Sequence, residues 1–248
     1  MGLLIDCGNT RCKLSRLLAD GSLSPVLALA HNQPDFISQL KVQIESDRKD
    51  NHCYFSSVAN PEITARIEST LVSAGYSVSR VKTQAQALGV KIAYSNPQQL
   101  GVDRFLALLA AHQIRQSVLI VSVGSALTVD ILQANGQHLG GLITATENII
   151  HDAMEAKFAN FRNLSGQPRG FSDNTADALA SGARYMVLGI IEKCWREASQ
   201  MLNESGLPII ISGGAAEALL QHLPDNTRYQ PRLVLEGLAL LAGHPENK

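Results

Sequence analysis

Asp6, Gly8, Asn9, Thr10 and Lys13 crowd into the stretch LLIDCGNTRCKL, residues 3–14, directly behind a short apolar run. An acid, a glycine, an amide, a hydroxyl and a lysine are a costly set for a plain hairpin. A carboxylate at the end of a buried strand is desolvated unless it is paired or lies close to a cation. Two roles fit Asp6. It could be an acid linked through water to Mg²⁺ beside nucleotide phosphates, or an Asx cap on the Gly-Asn turn. Thr10 and Lys13 favour the first, because a phosphate site needs both donors and positive charge.

Two further glycine turns follow apolar strands, Gly124-Ser125-Ala126 and Gly213-Gly214-Ala215. Glycine lets backbone N–H groups approach a phosphate, and hydroxyls add donors. The third turn reads as the start of a helix, whose N-terminus favours an anion. Any one of these is a common tight turn; three together point to a nucleotide held between two lobes. None matches the GxxxxGK[ST] or GxGxxG pattern. A second constellation is LGVDR at 100–104. Asp103 could be a first-turn acid favoured by the helix dipole or a general base for a substrate hydroxyl. Arg104 would then clamp a substrate carboxylate.

The elements that must position these residues follow from periodicity. LLIDC, CKLSRLLA, CYFSSV and YSVSRV read as strands, and ADGS at 19–22 as a hairpin turn. PDFISQLKVQIES places Phe36, Leu40, Val42 and Ile44 at mostly helical spacing, and Pro61 to Gly75 bound a second helix. Asn96-Pro97 opens a helix with Leu106, Leu109 and Ala110 on its buried face. SVLIVSVGSALTVDILQANGQHLGGLI then reads strand, turn, strand, Asn-Gly turn, strand, an echo of the N-terminal pattern. Residues 155–173 are loop-like. From Asn174 to about Leu202, Leu179, Ala183, Met186, Ile190, Cys194 and Ala198 step by three and four. Such a long helix is either a dimer element or an ordinary core helix. LPIIISGGAAEAL and VLEGLALLAG supply a last strand, a Gly-Gly turn and two helices.

Composition excludes several classes. With 248 residues there is enough chain for one large domain or two modest ones. A net charge of −1 without a long Lys/Arg cluster gives no electrostatic case for nucleic acid. The opening MGLLIDCGN lacks the basic and apolar regions of a secretion signal, and no apolar run could span a bilayer, so the expected location is cytoplasmic, away from membranes. Cys7, Cys12, Cys53 and Cys194 have no CxxC spacing and read as free thiols rather than as a metal or disulfide framework.

DCGNTRCK, YSNPQQLGVDR, GSALTVD with GQHLGGLI, DNTADALASG and ISGGAAEAL stand in the order found in type III pantothenate kinases, and the chain resembles that family over nearly its whole length. The most specific pieces are D-x-G-N-[TS]-x-x-K at 6–13 and G-x-D-R at 101–104. The resemblance implies an α/β fold of duplicated actin-like, ribonuclease H-like domains at 1–95 and 96–248. Each would be a mixed sheet with flanking helices, with an ATP cleft between them. It implies ATP-dependent phosphorylation of pantothenate to 4'-phosphopantothenate, the first step of coenzyme A biosynthesis.

The implied roles transfer position by position. Asp6, Cys7, Gly8, Asn9, Thr10, Arg11, Cys12 and Lys13 would wrap the ATP phosphates, with Asp6 near Mg²⁺. Gly101, Val102, Asp103 and Arg104 would line the pantothenate pocket with Tyr94, and Asp103 would take the hydroxyl proton. Ser125 stands where the family has an ATP-contacting threonine. Thr175 matches a threonine that reaches the neighbouring subunit's pantothenate, which makes the chain an expected homodimer. Ser122 replaces an acid similar to the one that binds an activating K⁺ or NH₄⁺ in relatives, and a neutral serine cannot supply that charge. After GGLI the chain reads TATEN where the family tends to Pro-Gly. These departures keep open a second reading, a non-catalytic nucleotide-binding regulator or accessory protein; a third, a phosphoanhydride hydrolase of the same fold, is opposed by the intact G-x-D-R with Tyr94.

Overall fold

The computed structural model describes residues 2–46 and 50–244. The chain runs through β1 (Gly2–Cys7), β2 (Arg11–Leu17), β3 (Leu27–Ala30), α1 (Phe36–Glu45), β4 (His52–Ser57), α2 (Pro61–Ser73) and β5 (Ser77–Arg80). The short pair β6 (Gln86–Ala87) and β7 (Val90–Lys91) and the helix α3 (Val102–Ala111) follow. Next come β8 (Val118–Val123), β9 (Leu127–Leu132), β10 (His138–Thr144), α4 (Glu147–Lys157) and α5 (Thr175–Leu202), then β11 (Ile209–Ser212), β12 (Thr227–Tyr229) and α6 (Leu233–Gly243).

Two compact units result. The first holds the described residues up to Gln116, Ala134–His138 and those from Arg232 on; the second holds Ser117–Gln133 and Leu139–Pro231. The division expected between 95 and 96 therefore falls inside the first unit. That unit keeps α3 and takes back α6, because the two helices pack backbone to backbone: a Cβ on Gly237 would lie 2.0 Å from the Leu106 carbonyl oxygen.

The strand order of the first sheet is β3-β2-β1-β4-β5 and that of the second is β10-β9-β8-β11-β12, so the echo read in the sequence is a repeated topology. In both sheets the first strand pairs antiparallel with the second (β1 with β2, β8 with β9) and parallel with the later one (β1 with β4, β8 with β11). All six residues of β1 are buried, as the central strand of a sheet covered on both faces requires. Phe36, Leu40 and Ile44 of α1 and Ile67 and Leu71 of α2 close one core over β1, β2 and β4. In the second unit Val187, Ile191, Cys194 and Ala198 of α5 pack on β8, β9 and β11.

Several expectations need correction. Val42 and Met186, named for their helical spacing, turn out exposed. Asn96-Pro97 opens only a 3-10 turn, Pro97–Gln99; the α-helix begins after Gly101, at Val102. The Gly213-Gly214 turn leads into a six-residue 3-10 helix, Glu217–His222, and not into an α-helix. This removes the helix-dipole argument for an anion there. α4 overlaps the start of the stretch read as loop, and none of its residues is buried, which leaves no apolar periodicity to detect.

The contact at Gly237 makes a prediction. Gly237→Ala should destabilise the protein by about 3 kcal/mol, because the added methyl meets a helix backbone that cannot rotate away. Urea unfolding would show a lower midpoint with an unchanged slope, and an unaltered midpoint would refute the tight α3–α6 approach.

Candidate active site

The opening hairpin is built by register. Asp6 stands opposite Lys13, and Cys7 opposite Cys12. The loop closes where the Gly8 N–H donates to the Arg11 carbonyl at 2.9 Å, leaving Asn9, Thr10 and Arg11 exposed. His31, just beyond β3, braces the loop from the side. Its Nε2–H donates to the Gly8 carbonyl at 3.1 Å, and its backbone N–H donates to the Thr10 carbonyl at 3.3 Å. No motif or spacing in the sequence marks His31; only the pairing of β3 with β2 brings it there.

Asp6 ends the central strand at 7% exposure. Its parallel neighbour on β4 is Ser56, whose hydroxyl donates to Asp6 Oδ1 at 3.0 Å. Burial, and then the negative charge of Asp103, push the Asp6 carboxyl up from 3.8 to about 6; the Ser56 hydrogen bond and Lys13 oppose the rise without cancelling it. The first constellation and the second are thus close enough to repel. Two mutually repelling, partly dehydrated carboxylates suit a hard divalent cation, and Mg²⁺ commonly takes one or two carboxylates and completes its shell with water and phosphate oxygens. Among the described residues no group of three or more His, Cys, Asp or Glu side chains could hold a metal, so any divalent ion at Asp6 depends on oxygens from water and ligand.

α3 presents the second constellation. Gly101 is its N-cap, and a Cβ there would lie 2.5 Å from Asp103 Oδ1, so any side chain would displace the carboxylate. Asp103 Oδ1 accepts from the Arg104 backbone N–H at 2.8 Å, which holds the acid over the first turn, while Val102 packs into the core. Arg104 is 5% exposed, unusual for a guanidinium unless it is well partnered. Its Nη1 donates to the Tyr94 hydroxyl at 3.1 Å, and its Cζ lies 5.7 Å from the centre of the same ring. The Tyr94 ring runs parallel, within 7°, to that of His138, at 6.2 Å between centres. His138 is fully buried and accepts the Ala93 N–H on Nδ1 at 3.3 Å. Sequence reading passed over His138, which reaches Tyr94 from a distant turn.

The remaining predicted positions belong to the second unit. Ser122 is half-buried, opposite Thr128 of β9 and Ser212 of β11 in register, with Asp130 two residues along β9 from Thr128. Ser125 is exposed at the β8–β9 turn, where the Gly124 N–H donates to the Ala126 carbonyl at 3.1 Å. The Gly-Gly turn lies against the end of β8. Gly213 has φ +102°, and a Cβ on it would sit 2.3 Å from the Val123 carbonyl oxygen. Asp130, buried on β9 at 3% exposure, was also passed over, although an acid inside TVDIL is a visible signal. Thr175 opens α5 in an exposed position, and the Asn174 side chain caps the helix by accepting the Asp177 N–H at 2.9 Å.

The elevated Asp6 pKa has a definite sign. The folded protein binds this proton more tightly than the unfolded chain does, so the ionised carboxylate costs stability above about pH 6, on the order of 3 kcal/mol. That cost disappears as pH falls through the window from about 6 to 3.8. Asp6→Asn should therefore be more stable than the parent at neutral pH, and the gap should shrink on acidification. Urea titrations at several pH values would check it; a gap that does not change with pH would refute the assignment.

Comparison with known proteins bears on what this site belongs to. The family profile for type III pantothenate kinase matches residues 2–197. Type III pantothenate kinase from Stenotrophomonas maltophilia is 39% identical over 241 residues, 97% of each chain, and that from Xylella fastidiosa is 36% identical over 244 residues, 98% of each. Among solved structures, a candidate Baf family transcriptional activator from Campylobacter jejuni superposes with a TM-score of 0.63 at 19% identity, covering 98% of this chain and 99% of that one. A candidate 2-dehydro-3-deoxygalactonokinase from Sinorhizobium meliloti does so with 0.62 at 11%, covering 99% and 100%. The structures agree on the fold and the sequences on more than the fold: this chain belongs to the type III pantothenate kinase family.

Proposed function

We propose that the chain carries out its family's reaction, ATP-dependent phosphorylation of pantothenate to 4'-phosphopantothenate in coenzyme A biosynthesis, with Asp103 as the general base. The observation that carries this reading is the electrostatic proximity of Asp103 to Asp6, which sets a candidate base beside a phosphate-type hairpin within one unit. In-line phosphoryl transfer needs an oriented hydroxyl, a base and positive charge around the transferred group. Asp103, steadied by the Arg104 N–H, takes the proton of the primary hydroxyl. Arg104, held by Tyr94, pairs with the pantothenate carboxylate. Lys13 and the loop amides from Gly8 to Arg11 cradle phosphate oxygens. Asp6 would help hold Mg²⁺, which when bound would neutralise charge on the phosphates.

Two further parts of the reading concern the second unit. Ser122 lacks the charge of the family's cation-binding acid, so we expect little dependence on K⁺ or NH₄⁺. Tyr185 and Met186 on α5 and Phe171 just before it are exposed side chains, which supports a homodimer built on this helix. No helix among the described residues is long and apolar enough to cross a membrane. The charge balance continues to argue against nucleic acid, and a cytoplasmic enzyme is the reading we favour.

The first test is ADP release from ATP and Mg²⁺ with and without pantothenate, in sodium buffer and then with K⁺ or NH₄⁺. Pantothenate-dependent turnover should fall by about 10²–10⁴-fold in Asp103→Asn, the range for loss of a general base. Arg104→Ala should act chiefly through a raised KM for pantothenate. ATP binding without turnover in any salt would support the non-catalytic reading instead. Light scattering at micromolar concentration should report two chains per particle, and a strict monomer would refute the role given to Thr175.

A further inference from the structure

We propose that Cys7 and Cys12, at the base of the opening hairpin loop, form a reversible disulfide through which a peroxide-class oxidant switches the hairpin off. The two residues face each other across β1 and β2, and three backbone hydrogen bonds define the kind of pair they make. The Gly8 N–H donates to the Arg11 carbonyl, so the hydrogen-bonded pair lies one step toward the loop. The His31 N–H donates to Thr10, which in the register Arg11↔Ala30 turns the polar backbone groups of Cys12 toward β3. The Cys7 carbonyl accepts from Val58 and so faces β4. Cys7 and Cys12 are therefore a non-hydrogen-bonded pair, the arrangement with the closer approach, about 4.5 Å between Cα atoms. That distance lies at the short end of the disulfide range. As directly opposed residues of an antiparallel pair, the two side chains stand on the same face of the sheet.

No other cysteine competes for this bond. Cys53 stands opposite Leu3, four residues back along β1 from Cys7. At the rise of a strand that is roughly 13 Å. Cys194 lies on α5 in the second unit. All four cysteines are reduced in the structure. In reducing compartments, disulfides that do form are usually transient and catalytic or redox-sensing. The pair is thus suited to a transient bond in a reducing compartment. Both side chains are fully buried beneath the exposed loop, so the oxidant must be small. The Cys7 sulfur attacks one oxygen of hydrogen peroxide, the O–O bond breaks, and a sulfenic acid and one water form. The Cys12 sulfur then displaces the sulfenic oxygen as a second water and closes the S–S bond.

The consequence for activity rests on the reading given under Proposed function. The bond would brace the mouth of the phosphate loop and pull on the adjacent Asp6–Lys13 pair. Displacements on the scale of an ångström at a reacting centre cost on the order of tenfold to a hundredfold in rate.

The test uses the full-length protein and a variant carrying Cys53→Ala and Cys194→Ala. Both are treated with hydrogen peroxide, quenched, and examined by intact mass, tryptic mapping and kinase assay. The expected result is loss of two hydrogen atoms of mass. Trypsin cuts after Arg11, so the peptide 1–11 should be recovered linked to Cys12–Lys13, and dithiothreitol should separate the two. Turnover should fall at least about tenfold and return on reduction. A gain of oxygen atoms without the link, or a link through Cys53 in the parent, would overturn the pair. The link with unchanged turnover would overturn the switch. If the reduced enzyme shows no pantothenate-dependent turnover, the kinase reading fails, while the linked peptide still decides whether the pair exists.

Discussion

A carboxylate at the end of a fully buried strand is the constraint from which the first unit is organised. Asp6 closes β1, and β1 is the middle of the sheet, so the acid cannot retreat to solvent without dismantling the core around it. Its surroundings offset part of the cost: a hydroxyl from β4 and a lysine directly across the hairpin. The remainder is visible as the raised pKa, to which Asp103 adds by repulsion. Folding therefore leaves an electrostatic cost at the end of β1 that an opposing positive charge would relieve.

The same economy of parts recurs in the second constellation. A glycine N-cap makes room for the Asp103 carboxylate, and the next residue's amide orients it. Arg104, buried at the head of an otherwise apolar helix, is tolerated through a phenol that both accepts its hydrogen bond and lies beneath its charge. His138, itself buried, lies parallel to that phenol. Acid, arginine, tyrosine and histidine form a chain of dependence in which each orients the next, so a pocket residue is only as well placed as the one behind it.

Duplication explains why two polar turns have the same origin. Each sheet begins with a hairpin followed by a parallel neighbour, so each unit ends its central strand at an equivalent turn. Their chemistry has since diverged. The first turn carries the acid and the lysine; the second carries Ser122 and Ser125. The Gly213 turn lies against that second turn because a close backbone approach excludes any side chain there.

Much of this was legible in the amino-acid order. The strand–turn chemistry of residues 6–13, the G-x-D-R motif, the repeated strand pattern and the capped helix from Thr175 to Leu202 are local features. Apolar runs mark the buried strands and helices, polar turn residues mark where they end, and both signals fall within a dozen positions. What the tertiary structure alone decided is non-local. The pairing of β3 with β2 carries His31 to the first hairpin loop, and the start of β10 delivers His138 to Tyr94. α6 returns from the end of the chain to the first unit because Gly237 fits the backbone of α3. α4 left no periodic trace, since none of its residues is buried. Even the nature of the Cys7–Cys12 pair depends on which way the backbone groups of three strands point. Periodicity records whether a residue is inside; register and packing decide what it meets there, because those choices are made by contacts between segments far apart in the chain.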